Sequence, residues 1–354
     1  MVARIEEVAV SRFERAAFFA SLLSCLALLG AAPHDPASTS HDAIVLYDRG
    51  VEELGDSRWK DALADFTGAL ALDGSFESAF TGRGEARSRT HDNAGAIADF
   101  TAAIALDSKD EAVYVLRSNE YLGFDRYQEA LADADTAISL DGSDTGALED
   151  RGRALYGLGR LSEARAAQRS VTALDPKGFR GFFYLGVTDL ALCENTAAIA
   201  DFGDAITIRD DSDSRNDRAI AYQRTHAWDS ATADLDQAMQ LDPASDAPYV
   251  NRAAGEIHAK QFNEAKVDLD IAIHLHPNAP EAYRNRALLR LRQKNYVLAL
   301  GDINYSLQYA PDDPESYRVR AWVYDGLGRA DLAALDRKMI PQKLHGKSDC
   351  PNGL

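Results

Sequence analysis

The sequence has few of the residues from which metal and catalytic centres are built. It holds three cysteines and eight histidines in 354 residues, no C-x-x-C pair, and only one close histidine pair, His274-Leu-His276. Because a zinc site needs about four such ligands at regular spacing, we interpret the two histidines as part of a turn. The sequence also has no G-x-S-x-G, no H-E-x-x-H and no Gly-rich phosphate loop. We therefore expect no metal, no cofactor and no enzymatic activity.

Basic residues are in deficit. The chain carries 38 Lys and Arg against 56 Asp and Glu, for a formal charge of −18, and no basic patch stands out. Nucleic acids and anionic lipids repel a chain of this charge. A hydrophobic content of 46% is that of an ordinary folded chain. The partners expected are therefore proteins or peptides, not nucleic acid.

Long apolar runs are absent apart from one near the N-terminus, at residues 16–32. At ~1.5 Å per residue this run is at the short edge for crossing a bilayer core of roughly 30 Å. It ends on Gly30, Ala31 and Ala32, the small residues that a signal peptidase accepts. Residues 1–32 are therefore predicted to be a cleaved signal peptide or a retained membrane anchor. Either places the protein in the periplasm or another extracytoplasmic space, with membrane association if the anchor is kept. Residues 33–41, which are polar and contain prolines, are predicted to be a flexible linker.

The rest of the chain is repetitive. An alanine that opens a helix-like segment recurs at steps of 34 residues, with a single step of 33. It stands at Ala62, Ala96, Ala130, Ala164, Ala198, Ala231, Ala265, Ala299 and Ala333. We number each unit from 1 to 34, beginning at Ala43, Glu77, Glu111, Thr145, Phe179, Ser212, Asp246, Pro280 and Pro314. Position 8 is always Gly, Ala or Ser, so two backbones can approach closely there.

The period and these positions resemble the tetratricopeptide repeat family, whose units are helix-turn-helix pairs. The resemblance implies an all-α fold, a right-handed superhelical solenoid of about nine repeats over residues 42–340. Residues 341–354 have no periodicity and are predicted to be a disordered tail. Members of this family are interaction scaffolds, so the implied function is non-catalytic binding of peptide segments from partner proteins. The alternative is an accessory or regulatory subunit that positions a partner enzyme.

In this family the first helices of successive units line a concave peptide-binding groove with positions 2, 5, 9, 12 and 13. Tyr47 and Glu85 fall at these positions, and so do the residues that we take as the candidate groove: Asn119, Arg153, Tyr156, Arg180, Phe183, Asn216, Arg224, Arg284, Arg292 and Trp322. Arginine pairs well with carboxylates, and aromatic rings supply contact area. The expected ligand is therefore an acidic or C-terminal peptide segment.

A second pattern concerns charge. Position 7 is Arg in eight units and position 23 is Asp in eight. Unit four has Ala167 in place of the Asp, and unit five has Leu185 in place of the Arg, so the gaps are consecutive. This predicts salt bridges between each Asp and the Arg of the next unit, such as Asp99 with Arg117. The polar segment 210–217, which is one residue short, predicts looser packing in unit six.

Overall fold

The computed structural model describes residues 40–340, which consist of helices and short turns with no strand among them. These residues form two compact units, an N-terminal body that ends at Pro176 and a C-terminal body that begins at Lys177. The predicted signal or anchor, nearly all of the predicted linker, and the predicted tail lie outside the described residues.

Each body is a series of antiparallel helix pairs, one pair per sequence unit. In the N-terminal body the helices are α1 His41–Gly55, α2 Trp59–Leu72, α3 Glu77–Arg89, α4 Asn93–Leu106, α5 Glu111–Gly123, α6 Tyr127–Leu140, α7 Thr145–Gly157 and α8 Leu161–Leu174. In the C-terminal body they are α9 Phe179–Ala191, α10 Asn195–Ile208, α11 Ser212–Arg224, α12 Trp228–Leu241, α13 Ala247–His258, α14 Phe262–Leu275, α15 Pro280–Arg292, α16 Tyr296–Tyr309, α17 Pro314–Gly326 and α18 Ala330–Met339. The predicted all-α fold of helix-turn-helix repeats is confirmed.

The turn inside each pair uses a left-handed residue at position 15. Only two of the nine are glycine, Gly159 and Gly328 at φ 74°. The others, at φ 56° to 65°, are Ser57, His91, Asp125, Cys193, His226, Lys260 and Lys294. Cys193 is also disulfide-bonded, and the other two cysteines of the chain lie outside the described residues. Of the two histidines predicted to form a turn, His276 follows the end of α14 as predicted, but His274 lies inside the last turn of that helix.

The core of several pairs depends on matched sizes at positions 8 and 24. Phe100 at position 24 is 1% exposed, and its ring covers Gly84 so closely that a Cβ there would lie 2.5 Å from a ring carbon. In the sixth pair the side chain at position 24 is Leu235, and the facing residue is Ala219. A larger ring therefore requires glycine, whereas a leucine leaves room for alanine.

The predicted ladder exists, but its predicted pairing is wrong. Seven of the eight arginines at position 7 bind the aspartate at position 23 of their own unit, across the two helices of the pair. Arg83 donates to both carboxylate oxygens of Asp99 at 2.9 and 2.7 Å, and Arg117 donates to Asp133 in the same way at 2.8 and 2.7 Å. The same bond forms in the pairs Arg49–Asp65, Arg218–Asp234, Arg252–Asp268, Arg286–Asp302 and Arg320–Asp336.

The arginines also reach the preceding unit, through position 25 and not position 23. Arg286 donates to Asp270 at 3.1 Å, and Arg252 donates to Asp236 at 2.6 Å. This contact explains unit four, where the aspartate at position 23 is missing: Arg151 binds Asp135 of the third unit at 2.7 Å. Arg151 thus has a partner although unit four lacks the aspartate at position 23, because Asp135 at position 25 of the preceding unit takes its place.

The prediction of looser packing in unit six is also wrong. Asp211 caps α11 by accepting from the backbone N–H groups of Asp213 and Ser214, and Ser214 is fully buried. Arg215, which takes the place of an apolar residue, binds Asp234 at 3.0 Å beside the ladder arginine. The polar segment is therefore packed through hydrogen bonds.

The seventh pair contains a ladder defect. In the eighth pair, position 11 holds Arg290, which binds the ladder aspartate Asp302 at 2.6 Å. The seventh pair has Glu256 there instead, beside Asp268, and its Oε2 atom is buried without a hydrogen-bond partner. Burial, and then the Asp268 carboxylate, raise the pKa of Glu256 to about 7. The folded protein therefore favours a protonated Glu256.

We expect Glu256→Gln to stabilise the protein by about 1–2 kcal/mol at pH 8 and to have almost no effect at pH 4, after allowance for partial solvent screening. Because the folded-state pKa of Glu256 is raised from 4.5 to about 7, its contribution to stability is full below about pH 4.5 and is lost as the pH rises through 7. Urea unfolding at several pH values measures the difference. The exposed Glu52→Gln is the control, and an equal gain at every pH would contradict the assignment.

Candidate functional site

The first helix of each pair contacts the first helix of the next pair, so these helices form one layer in each body. In the N-terminal body α1, α3, α5 and α7 make this layer, and in the C-terminal body α9, α11, α13, α15 and α17 make it. Consecutive second helices contact each other less than consecutive first helices do. The layer of first helices is therefore the inner layer of each body, and we call it so below.

In the N-terminal body, two of the predicted groove residues meet. Asn119 and Arg153 both stand at position 9, on α5 and α7, and the arginine donates to the Asn119 amide oxygen at 3.2 Å. The Asn119 amide nitrogen donates to Asp150 at 2.9 Å, and Arg153 also approaches Asp150 at 3.4 Å. Tyr156 is 7% exposed. This part of the inner layer is thus a packed polar network, and Tyr156 presents little surface to a ligand.

Closer to the start of the N-terminal body, the inner layer carries carboxylates. Burial raises the pKa of Glu85 on α3 to about 7. Glu120 on α5 is 9% exposed; its Oε1 accepts from Ser88, while its Oε2 has no hydrogen-bond partner. Arg89 is the base near both glutamates, and burial lowers the pKa of its guanidinium. The phenol of Tyr47, also near Glu85, has its pKa raised to about 12, mainly by burial and then by Glu77.

In the C-terminal body, the inner layer begins with aromatic rings. Phe183 is 7% exposed and stacks on Phe179 with ring centroids 5.7 Å apart. Arg209 lies over the Phe179 ring at 3.5 Å. Burial lowers the pKa of Arg209, and the nearby predicted groove residue Arg180 adds to this effect. The two arginines make a positively charged rim beside the aromatic cluster.

The next part of this layer is an amide and carboxyl cluster. The Asn251 amide donates to the Asn216 amide oxygen at 2.7 Å, and Asn216 donates to Asp217 at 3.1 Å. Burial, and then Asp213, raise the pKa of Asp217 to about 8. Burial, and then Asp211, raise the pKa of Asp213 to about 7. Of the predicted groove residues, Asn216 is therefore held inside the protein.

The remaining predicted groove residues differ in how accessible their side chains are to a ligand. Arg224 donates to the Leu190 carbonyl at 2.8 Å. Arg284 is buried and binds Asp313 at 2.8 Å. Arg292, in the last turn of α15, is exposed, and Trp322 on the neighbouring α17 is 44% exposed. Arg292 and Trp322 are therefore the predicted residues best placed to touch a ligand.

Sequence reasoning missed the buried acids of the inner layer. Glu120, Asp213 and Asp217 were not among the candidates, because an acidic ligand was expected and the candidates were arginines, aromatic residues and asparagines. A usable signal was their placement, since Glu120 and Asp217 are each next to a predicted groove position, occupied by Asn119 and Asn216.

Within residues 40–340 no group of three potential ligands could hold a metal ion. None of the helices in that range is long and apolar enough to cross a bilayer.

The sequence profile of the tetratricopeptide repeat family matches residues 115–179, 151–215 and 259–314. Among solved structures, a tetratricopeptide repeat protein from Parabacteroides merdae ATCC 43184 aligns with a TM-score of 0.58 at 16% identity, covering 71% of this chain and 99% of its own. A chain of the APC/C hetero-tetramer Cut9–Hcn1 aligns with a TM-score of 0.57 at 14% identity, covering 93% of this chain and 80% of its own. No curated protein sequence matches the chain.

The family match and the helix-pair architecture agree. The matched segments fall in both bodies, and the same period and the same turn position run through all nine described pairs. The fold is shared with structures of very different sequence, so the likeness to them concerns architecture alone. On these grounds the chain resembles the tetratricopeptide repeat family in sequence over the matched segments, and it shares the helix-pair architecture of that family in its fold.

Proposed function

We propose that this protein is a non-catalytic scaffold that binds peptide segments of partner proteins on the inner layers of its two bodies. Proteins of this fold are typically interaction scaffolds. The observation that carries the proposal is the exposed pair Arg292 and Trp322 on consecutive inner helices. Tryptophan and arginine are among the residue types that are enriched in the hot spots of protein interfaces.

We further propose that the C-terminal body takes acidic segments, including C-terminal carboxylates. The predicted groove residues Arg153, Arg224 and Arg284 bind groups within the protein. Arg292, in contrast, is exposed and can form a bidentate pair with a carboxylate. Trp322 offers a planar surface on the next inner helix. The charge of this body is also more balanced, with 25 acidic and 19 basic residues between 177 and 340.

Fluorescence anisotropy with labelled peptides of equal length tests this proposal. The probes are an acid-rich peptide, its neutral Gln counterpart and a base-rich Lys counterpart. We expect the acid-rich probe to bind, and Arg292→Ala with Trp322→Ala to weaken it by about tenfold. The matched control is Leu335→Ala with Lys338→Ala, two exposed residues of the outer helix α18. Equal loss in both variants, or no binding, would contradict the proposal.

We also propose that the protein is exported, with residues 1–32 as a signal peptide or an anchor. The apolar run at 16–32 supports this, and so does the disulfide at Cys193, since such bonds persist in oxidising compartments. N-terminal sequencing of the protein from fractionated cells tests it. A start near residue 33 indicates cleavage, a membrane-bound chain with residues 1–32 indicates an anchor, and a full-length chain in the cytosol contradicts export.

A further inference from the structure

We propose that the inner layer of the N-terminal body contains a site for a cationic side chain, formed by Glu85 and Glu120, and that this body binds Lys- or Arg-rich segments of partner proteins. The inference rests on the proposed scaffold function and extends it. It assigns to the N-terminal body a ligand of the opposite charge to the one expected for the C-terminal body.

The first support is where the acidic charge lies. Residues 41–176 hold 26 Asp and Glu against 14 Lys and Arg, so most of the net negative charge of the chain belongs to this body. Several of its bases are already used: Arg49, Arg83, Arg87 and Arg117 bind ladder aspartates between the two helices of a pair. They therefore do not neutralise acids on the inner layer.

The second support is the state of the two glutamates. Glu85 is partly buried, and Arg89 is the nearby base that favours its charged form. Glu120 is nine-tenths buried at 9% exposure: Ser88 donates to its Oε1, and Asn93 lies near the carboxylate, but Oε2 has no hydrogen bond of good geometry. Buried carboxylate oxygens are almost always satisfied, so an unpaired one at an interaction surface indicates a missing donor.

The third support is that Arg89, the base near both glutamates, does not compensate both carboxylates by itself. Arg89 influences both Glu85 and Glu120, but its guanidinium is 5.6 Å from the centre of the Trp59 ring, over its face. Glu77 and Tyr47 lie nearby and add no positive charge. The cluster therefore holds two carboxyl groups against one guanidinium, and an ammonium or guanidinium group from a partner would favour the charged forms of these carboxyl groups.

A metal ion is a poorer occupant than a cationic side chain. No group of three potential ligands gathers among residues 40–340, and the acids here come from different helices with a guanidinium between them. A peptide side chain needs only one or two carboxylates and also gains contact with Tyr47 and the aliphatic part of Arg89. Charge steering would favour its approach.

The test uses the full chain and the base-rich, neutral and acid-rich probes in anisotropy at two salt concentrations. We expect the base-rich probe to bind more tightly than the neutral one, and Glu85→Gln with Glu120→Gln to weaken it by about tenfold. The matched control, Asp61→Asn with Glu129→Gln, removes the same charge from the second helices α2 and α6 and should change binding by less than about twofold. Because the glutamines replace carboxylates that burial disfavours, the variant should fold, and its melting curve checks this.

The outcomes separate this site from the scaffold function. If both double variants lose the base-rich probe equally, the attraction is diffuse and the site is wrong. If the base-rich probe binds no better than the neutral one while the acid-rich probe still binds through Arg292 and Trp322, only this inference fails. If none of the probes binds, the proposed scaffold function fails with it.

Discussion

Asp99→Asn is expected to lower the free energy of unfolding of the N-terminal body by about 3 kcal/mol. Asp99 is 3% exposed and accepts hydrogen bonds from both Arg83 and Arg87, so the neutral amide leaves two partly buried guanidinium groups without their counter-charge. Urea unfolding followed by circular dichroism measures the loss. Asp48→Asn, at an exposed position on α1, is the control, and we expect a change within about 0.5 kcal/mol.

A double-mutant cycle identifies the partner of Asp99. Asp99→Ala and Arg83→Ala should couple by about 1–3 kcal/mol, because each removes one end of the same bidentate pair. Asp99→Ala and Arg117→Ala should be additive within about 0.5 kcal/mol, because Arg117 binds Asp133 and Thr101. Coupling to Arg117 without coupling to Arg83 would reverse the pairing described above.

Gly84→Ala is expected to destabilise the N-terminal body by up to about 2 kcal/mol, although alanine is the better helix former. The gain in helix propensity is about 1 kcal/mol, whereas forcing a methyl group against a packed ring costs about 1–3 kcal/mol. The new Cβ would lie 2.5 Å from a carbon of the Phe100 ring, which is buried and cannot move freely. Urea unfolding measures the sign and the size of the change.

Two further variants distinguish a clash from a simple backbone effect. Gly301→Ala in α16 meets nothing within 4 Å and should stabilise by up to about 1 kcal/mol. In a Phe100→Leu background, Gly84→Ala should become neutral or stabilising, because it recreates the Ala219 and Leu235 combination of the sixth pair. If Gly84→Ala still destabilised in that background, size matching between positions 8 and 24 would not explain the glycine.

The repeat period was sufficient to predict the fold but not the pairing of the ladder. Asp99 stands 16 residues after Arg83 and 18 before Arg117, and both separations recur through the chain, so periodicity cannot choose between them. The gaps in units four and five favoured the wrong choice. They did so because a second acid, Asp135, compensates in three dimensions for the aspartate that unit four lacks.

The candidate site was less predictable, because availability depends on contacts between distant residues. Arg284 and Arg292 look alike in sequence, yet Arg284 meets Asp313 and is buried, whereas Arg292 is exposed. Burial also turns ordinary acids such as Glu120 and Asp217 into perturbed groups. Desolvation of this kind comes from neighbouring helices, and a pattern within one unit cannot reveal it.

Some ladder arginines bind both their own helix pair and the preceding one, and this affects how the body unfolds. An arginine that binds its own pair and position 25 of the pair before it contributes to both intrinsic and nearest-neighbour stability, the two quantities that set cooperativity in a repeat array. Arg252, Arg286 and Arg320 connect consecutive pairs in this way. Arg218 faces Gly203, which offers no side chain. Pairs six to nine would thus open together in hydrogen exchange, and the fifth pair is joined to them by a different contact, from Arg224 to the Leu190 carbonyl.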